Sequence, residues 1–142
     1  MAELDDTRTL AHLEQAYSRE AQAHVRYHFA ARLADAAARP DIARVLRAAA
    51  DEERGHALGF LDLLVENGAS NPQIVGQTLA DNLEASIDAE LHEFTTLYTR
   101  YAEIAAEEGF PEIARWFLAL AEAGQTHARW LQQCLDGLER SP

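Results

Sequence analysis

Glu53-Arg54-Gly55-His56 sets a carboxylate and an imidazole three residues apart inside an apolar helical pattern. Residues three apart on an α-helix lie on nearly the same face, with Cβ atoms about 5–6 Å apart, so both side chains can turn toward one point. That is the geometry of two ligands on one metal ion. Ile42, Leu46, Ala49, Phe60 and Leu63 continue the three-and-four spacing on either side, which makes Glu53 and His56 part of a core-facing seam. Glu52, four before His56, falls off that seam and is expected in solvent.

Working outward, Pro40 suits the first turn of this helix, where a missing N–H costs nothing, and Asn67-Gly68 is a stop signal, giving a helix over about 40–67. Before it, Leu10, Leu13, Tyr17, Glu20, His24, Tyr27, Ala31 and Ala34 outline a first helix over about 7–37, with Asp5, Asp6 or Thr7 to cap it. Residues 68–80, including Ser70-Asn71-Pro72, are longer than the usual link between antiparallel neighbours and read as a crossover. A third helix, about 79–108, carries Leu83, Ile87, Glu90, Phe94, Leu97, Tyr101 and Ile104. Gly109 ends it, and Pro111 opens a fourth, about 111–138, with Ile113, Phe117, Leu120, Gly124, His127, Leu131, Cys134 and Leu138. The expected fold is all-α: one four-helix bundle over 1–142 with a long crossover between the second and third helices.

The halves are copies. Pro40-Asp41-Ile42-Ala43-Arg44 recurs as Pro111-Glu112-Ile113-Ala114-Arg115, 71 residues later, and the same offset takes His56 to His127, Tyr27 to Tyr98 and Leu63 to Cys134. Glu20 reaches a carboxylate, Glu90, only at offset 70. One extra residue between Glu90 and Tyr98 accounts for this, and an insertion inside a helix is commonly absorbed as a π-bulge. Such a bulge would turn Glu93 toward the centre beside Glu90.

Composition narrows the chemistry. Twenty-four acidic and 12 basic residues give a formal charge of −12 without a basic cluster, which argues against nucleic acid or an anionic membrane as partner. The single cysteine, Cys134, excludes an intramolecular disulfide and any Cys-only metal site, and with no apolar run near the ~18 residues of a membrane span the expected location is the cytoplasm. Glu20, Glu53, His56, Glu90, Glu93 and His127 nevertheless converge on the middle of the pattern. Unpaired buried carboxylates cost several kcal/mol each, so a cation is required, and a mixed carboxylate–imidazole set suits iron, with manganese possible.

A Glu from each of two helices with Glu-x-x-His from the other two is the ligand plan of ferritin-like di-iron bundles. The chain resembles the di-iron domain of rubrerythrins from about Leu10 to Leu138. Arg19-Glu20-Ala21-Gln22-Ala23 with Arg26-Tyr27, Glu53-Arg54-Gly55-His56-Ala57, Glu90-Leu91-His92-Glu93 with Tyr98, and Ala106-Glu107-Glu108-Gly109-Phe110 before Ile113-Ala114-Arg115 carry the resemblance. It implies that Glu20, Glu53 and His56 serve one iron and Glu90 and His127 the other. Glu93 would be the additional carboxylate, and Tyr27 and Tyr98 would donate hydrogen bonds to carboxylate ligands. It further implies reduction of hydrogen peroxide, with dioxygen as the other candidate oxidant, a homodimer, and electrons from a separate carrier. No Cys-x-x-Cys pair is present to form a rubredoxin domain, so a rubredoxin-like partner is expected to supply them.

The departure is at Gly124-Gln125-Thr126-His127, where the family pattern and the internal repeat both call for Glu at 124. Glu122 cannot replace it, since five residues turn about 140° around a helix. Glu93 swinging in, an exogenous anion or water, or a weakened second metal position are the explanations available. Two other functions stay open: an iron-storing ferroxidase, and a mono-metal or metal-free bundle with an interaction role. His24 is expected to be a hydrogen-bonded core histidine, His12, His28 and His92 surface or rim residues, Cys134 a buried thiol, and Trp116 and Trp130 core or dimer-contact residues.

Overall fold

The computed structural model describes residues 3–69, 71 and 73–140, so Ser70 and Pro72 of the expected helix stop lie outside the described residues. The described elements are helical: α1 Arg8–Ala36, α2 Pro40–Glu66, α3 Leu79–His92, a π-helical turn Glu93–Leu97, α4 Tyr98–Glu107 and α5 Pro111–Arg140. They match the four expected helices, with α3, the π turn and α4 forming the third. The chain divides into two compact units, one ending at Val75 and the other beginning at Gly76.

In the first unit α1 and α2 form a hairpin. Thr7, one of three candidate caps, accepts from the Leu10 amide at 3.0 Å and satisfies one of the free N–H groups of the first turn. At the other end of α1 the Arg39 amide donates to the Ala34 carbonyl at 2.9 Å, and Ala38 takes φ +56°, closing the helix in a left-handed turn before Pro40 opens α2. The contact between the helices is made by small residues: Ala23, Ala31 and Ala34 from α1, and Ala43, Ala50, Ala57 and Leu64, one every seven residues, from α2. This is one position along from the expected seam of Ile42, Leu46, Ala49, Glu53, His56, Phe60 and Leu63. A small residue at every seventh position lets the two helix backbones approach closely. The seam with Glu53 and His56 lies beside that contact and is partly exposed within the unit, Ile42 by 41% and Leu63 by 43%. After α2, the Asn71 side-chain amide donates to Glu14 of α1 at 3.0 Å, tying the start of the connection down.

The second unit repeats the plan. Gly76 and Asn82 exchange two hydrogen bonds, backbone N–H to side-chain carbonyl and side-chain amide to backbone carbonyl, each 2.9 Å. Thr78 then opens α3 in a capping box with Asp81. The buried apolar side chains of α5, Ala114, Ala121, Ala128 and Leu135, stand 71 positions after those of α2, and Ala102 and Ala105 of α4 stand 71 after Ala31 and Ala34. The left-handed turn recurs too, with Gly109 at φ +89° and the Phe110 amide on the Ala105 carbonyl at 2.7 Å. Between the matching ends sits the expected irregularity. Across the π turn the Tyr98 amide donates to Glu93, five residues back, and the hydroxyls of Thr95 and Thr99 return to the carbonyls of Leu91 at 2.6 Å and Thr95 at 3.2 Å.

Three expectations about individual side chains are corrected or refined. Cys134 is exposed within its unit, because it shares the outer seam with Leu138 while its neighbour Leu135 takes the buried place. Trp116 and Trp130 are likewise 65% and 58% exposed rather than part of either hairpin's core. His24 does hydrogen-bond, its Nδ1 donating to the Ala50 carbonyl of α2 at 2.7 Å, with the His28 ring edge-on at 4.7 Å.

Candidate metal centre

The first hairpin brings three of the expected ligands together. α1 contributes Glu20 and α2 contributes Glu53 and His56, and one ligand atom from each falls within 4.8 Å of the others. His56 Nδ1 lies 3.7 Å from Glu20 Oε1 and 3.7 Å from Glu53 Oε1, distances too long for hydrogen bonds but right for donors surrounding a shared centre. The carboxylates are mostly covered, at 28% and 20% side-chain exposure, while the imidazole is more open at 56%. Two carboxylates side by side repel, and a hard or borderline cation relieves that repulsion. The donor set of two oxygens and one nitrogen fits iron or manganese.

The second hairpin holds a different arrangement. His127 Nδ1 of α5 is 3.3 Å from Glu90 Oε1 of α3, and no third ligand completes a cluster there among the described residues. Glu93, at the start of the π turn, is partly buried. Its charge reaches the Tyr98 phenol: burial foremost, then the carboxylates of Glu93 and Glu90 and the neighbouring Tyr101, push that phenol above its ordinary range. Tyr98 also packs on Phe117, ring centroids 5.7 Å apart. Tyr27, its counterpart, is partly buried with the Arg26 guanidinium 5.7 Å from its ring centre. Among the described residues neither phenol hydrogen-bonds to a ligand carboxylate.

Gly124 is where the hairpins diverge. It is buried in α5, and a Cβ built there would meet Glu90 Oε2 at 2.8 Å, Phe94 Cβ at 3.4 Å and Phe94 Cδ1 at 3.6 Å. The equivalent position in the first hairpin is occupied by Glu53, with its carboxylate beside Glu20. Glu52, Glu107, Glu108 and Glu122 are exposed and take no part in either grouping.

Comparison with known proteins agrees with this plan. The model of the ferritin-like domain matches residues 10–141. A rubrerythrin of Porphyromonas gingivalis is 40% identical over 128 residues, 87% of this chain and 64% of that protein. Rubrerythrin-1 of Clostridium acetobutylicum is 32% identical over 150 residues, 99% of this chain and 76% of that protein. A rubrerythrin of Nitratidesulfovibrio vulgaris is 36% identical over 134 residues, 91% of this chain and 70% of that protein. The chain thus spans between about two thirds and three quarters of the length of these relatives, and the ferritin-like match over residues 10–141 takes in every residue of both groupings. With its all-helical build, its repeated hairpin and its carboxylate–histidine cluster, the chain belongs to the rubrerythrin family of ferritin-like proteins.

Proposed function

We propose that this chain is a non-haem iron oxidoreductase that reduces hydrogen peroxide to water with electrons from a separate, rubredoxin-like carrier, acting as a cytoplasmic homodimer whose 1–142 form one domain. Glu20, Glu53 and His56 hold one iron; Glu90, Glu93 and His127 hold the other. The observation that carries the proposal is the gathering of Glu20, Glu53 and His56 within 4.8 Å, in a member of a family built around iron. Iron, when bound, supplies the electrons that cleave the O–O bond, and each peroxide consumes two electrons and two protons to give two waters.

The remaining work belongs to side chains. Glu20 and Glu53 neutralise the cationic centre and fix its place between α1 and α2. His56 adds a neutral nitrogen donor on the open side, where a small oxidant has access. Tyr98, a phenol beside the carboxylates of Glu93 and Glu90, keeps a proton close to them, and Tyr27 is assigned the matching position in the first hairpin.

A second reading has its own support. The second hairpin groups only Glu90 with His127, which favours a chain that keeps a single ion at Glu20, Glu53 and His56. Anaerobic ferrous titration followed by hydrogen peroxide, monitored by absorption, separates the possibilities. Two irons per chain, both oxidised by peroxide and one of them lost from Glu53→Gln and from His56→Ala, are the expected result. One iron per chain supports the second reading. Many irons per chain taken up with dioxygen would make the protein a ferroxidase, and no retained iron would end the metal proposal.

A further inference from the structure

We propose that Gly124 is a positioning residue: its missing side chain is the seat of the Glu90 carboxylate, so that one carboxylate does in the second hairpin what Glu20 and Glu53 do together in the first. The inference rests on the metal-binding function proposed above and concerns which residues make the second grouping.

In the first hairpin two carboxylates flank one imidazole, Glu20 from the neighbouring helix and Glu53 from the same helix, each 3.7 Å from His56 Nδ1. In the second, Glu90 comes from the neighbouring helix, as Glu20 does. Its Oε1 faces His127 Nδ1 at 3.3 Å while its Oε2 lies over Gly124, 2.8 Å from where a Cβ would be. The carboxylate therefore straddles both places. Any side chain at 124 would have to move it, because 2.8 Å is well inside the contact distance of carbon and oxygen, whereas the Phe94 ring at 3.6 Å makes an ordinary contact that an alanine would tolerate. The space left by the absent glutamate is thus already taken by a residue of the same hairpin. Restoring the carboxylate at 124 would compete with Glu90 rather than add to it.

A glycine inside a helix is less favourable than alanine because it loses more backbone freedom on folding. At a position that only fills space, Gly→Ala would leave metal binding alone and stabilise the helix. Here the two effects oppose each other. Metal-free Gly124→Ala is expected to melt at or above the wild-type temperature, while the affinity of one bound-metal equivalent falls about 10- to 100-fold, as when a ligand loses its supporting partner. Cobalt(II) or iron(II) titration of the full chain against a chromophoric chelator reads the affinity, and circular dichroism of the chelated protein reads the melting temperature. Gly137→Ala, in the same helix with no described residue within 4 Å of the added Cβ, should raise the melting temperature and leave both equivalents unchanged.

The route through Glu90 is tested in the Glu90→Ala background, where adding Gly124→Ala should change affinity no further, the non-additivity expected of residues acting as one unit. An unchanged titration for Gly124→Ala overturns the proposal, as does a loss of equal size in the Glu90→Ala background, which would assign the glycine to Phe94 packing instead. A wild-type chain that binds no metal defeats the function proposed above and this inference with it, and is recognised before any variant is made.

Discussion

Ala38 and Gly109 occupy the same place at the ends of matching helices, and both adopt the left-handed conformation, φ +56° and +89°. For an L-residue with a Cβ that conformation costs roughly 1–2 kcal/mol, which glycine avoids while paying a larger entropy on folding. Ala38→Gly is therefore expected to stabilise the chain by about 0.5–1 kcal/mol. Chemical denaturation would show it as a higher midpoint with an unchanged slope. A lower midpoint would mean that the turn between α1 and α2 is held by something other than backbone geometry. At this scale the grouping of Glu20, Glu53 and His56 was legible, since a charged or imidazole side chain on an apolar seam stands out by its cost. What Gly124 makes room for was not, because an absent side chain names no partner; only the Glu90 oxygen lying over it does.

The helices were legible nearly to the residue, from Pro40 and Pro111 at their starts to Gly68 and Gly109 just past their ends. The π turn was legible as well, through the change of offset between Glu90 and Tyr98. The hairpin contact was missed. Ala43, Ala50 and Ala57 recur every seven residues, as do their neighbours Ile42, Ala49 and His56, and alanine carries too little apolar contrast to announce which of two adjacent seams is buried. The structure assigns the close contact to the alanines, and Ala50 is fully covered. Ala50→Leu should then push α1 and α2 apart at a cost of about 1–3 kcal/mol, the usual penalty for overfilling a packed core. Ala49→Leu, on the partly exposed seam, should cost far less. Equal thermal shifts for the two variants would contradict the assignment of the buried seam.

For the molecule as a whole the repeat carried the fold: one hairpin read correctly implied the other, down to Ala114, Ala121, Ala128 and Leu135. The side-chain groupings did not repeat as faithfully, because a duplicated scaffold constrains packing far more tightly than it constrains partly exposed polar residues. The formal charge of −12 belongs to this scale too. So much like charge works against any compact state, and salt screens it, the Debye length falling from about 30 Å at 0.01 M to about 8 Å at 0.15 M. The chelated protein should melt at a higher temperature at the higher ionic strength. A melting point that falls with salt would mean that favourable ion pairs, such as Arg39 with Asp41, outweigh the net repulsion.

The π turn bears on how such a protein could arise. An added residue in an α-helix ordinarily swings everything after it by about 100°, which would have carried Ala102 and Ala105 off the hairpin contact and unmade the fold. Widening one turn at Glu93–Leu97 absorbs the extra residue locally, and beyond it every position keeps its counterpart. The second hairpin can therefore carry a further carboxylate, Glu93, without surrendering its packing.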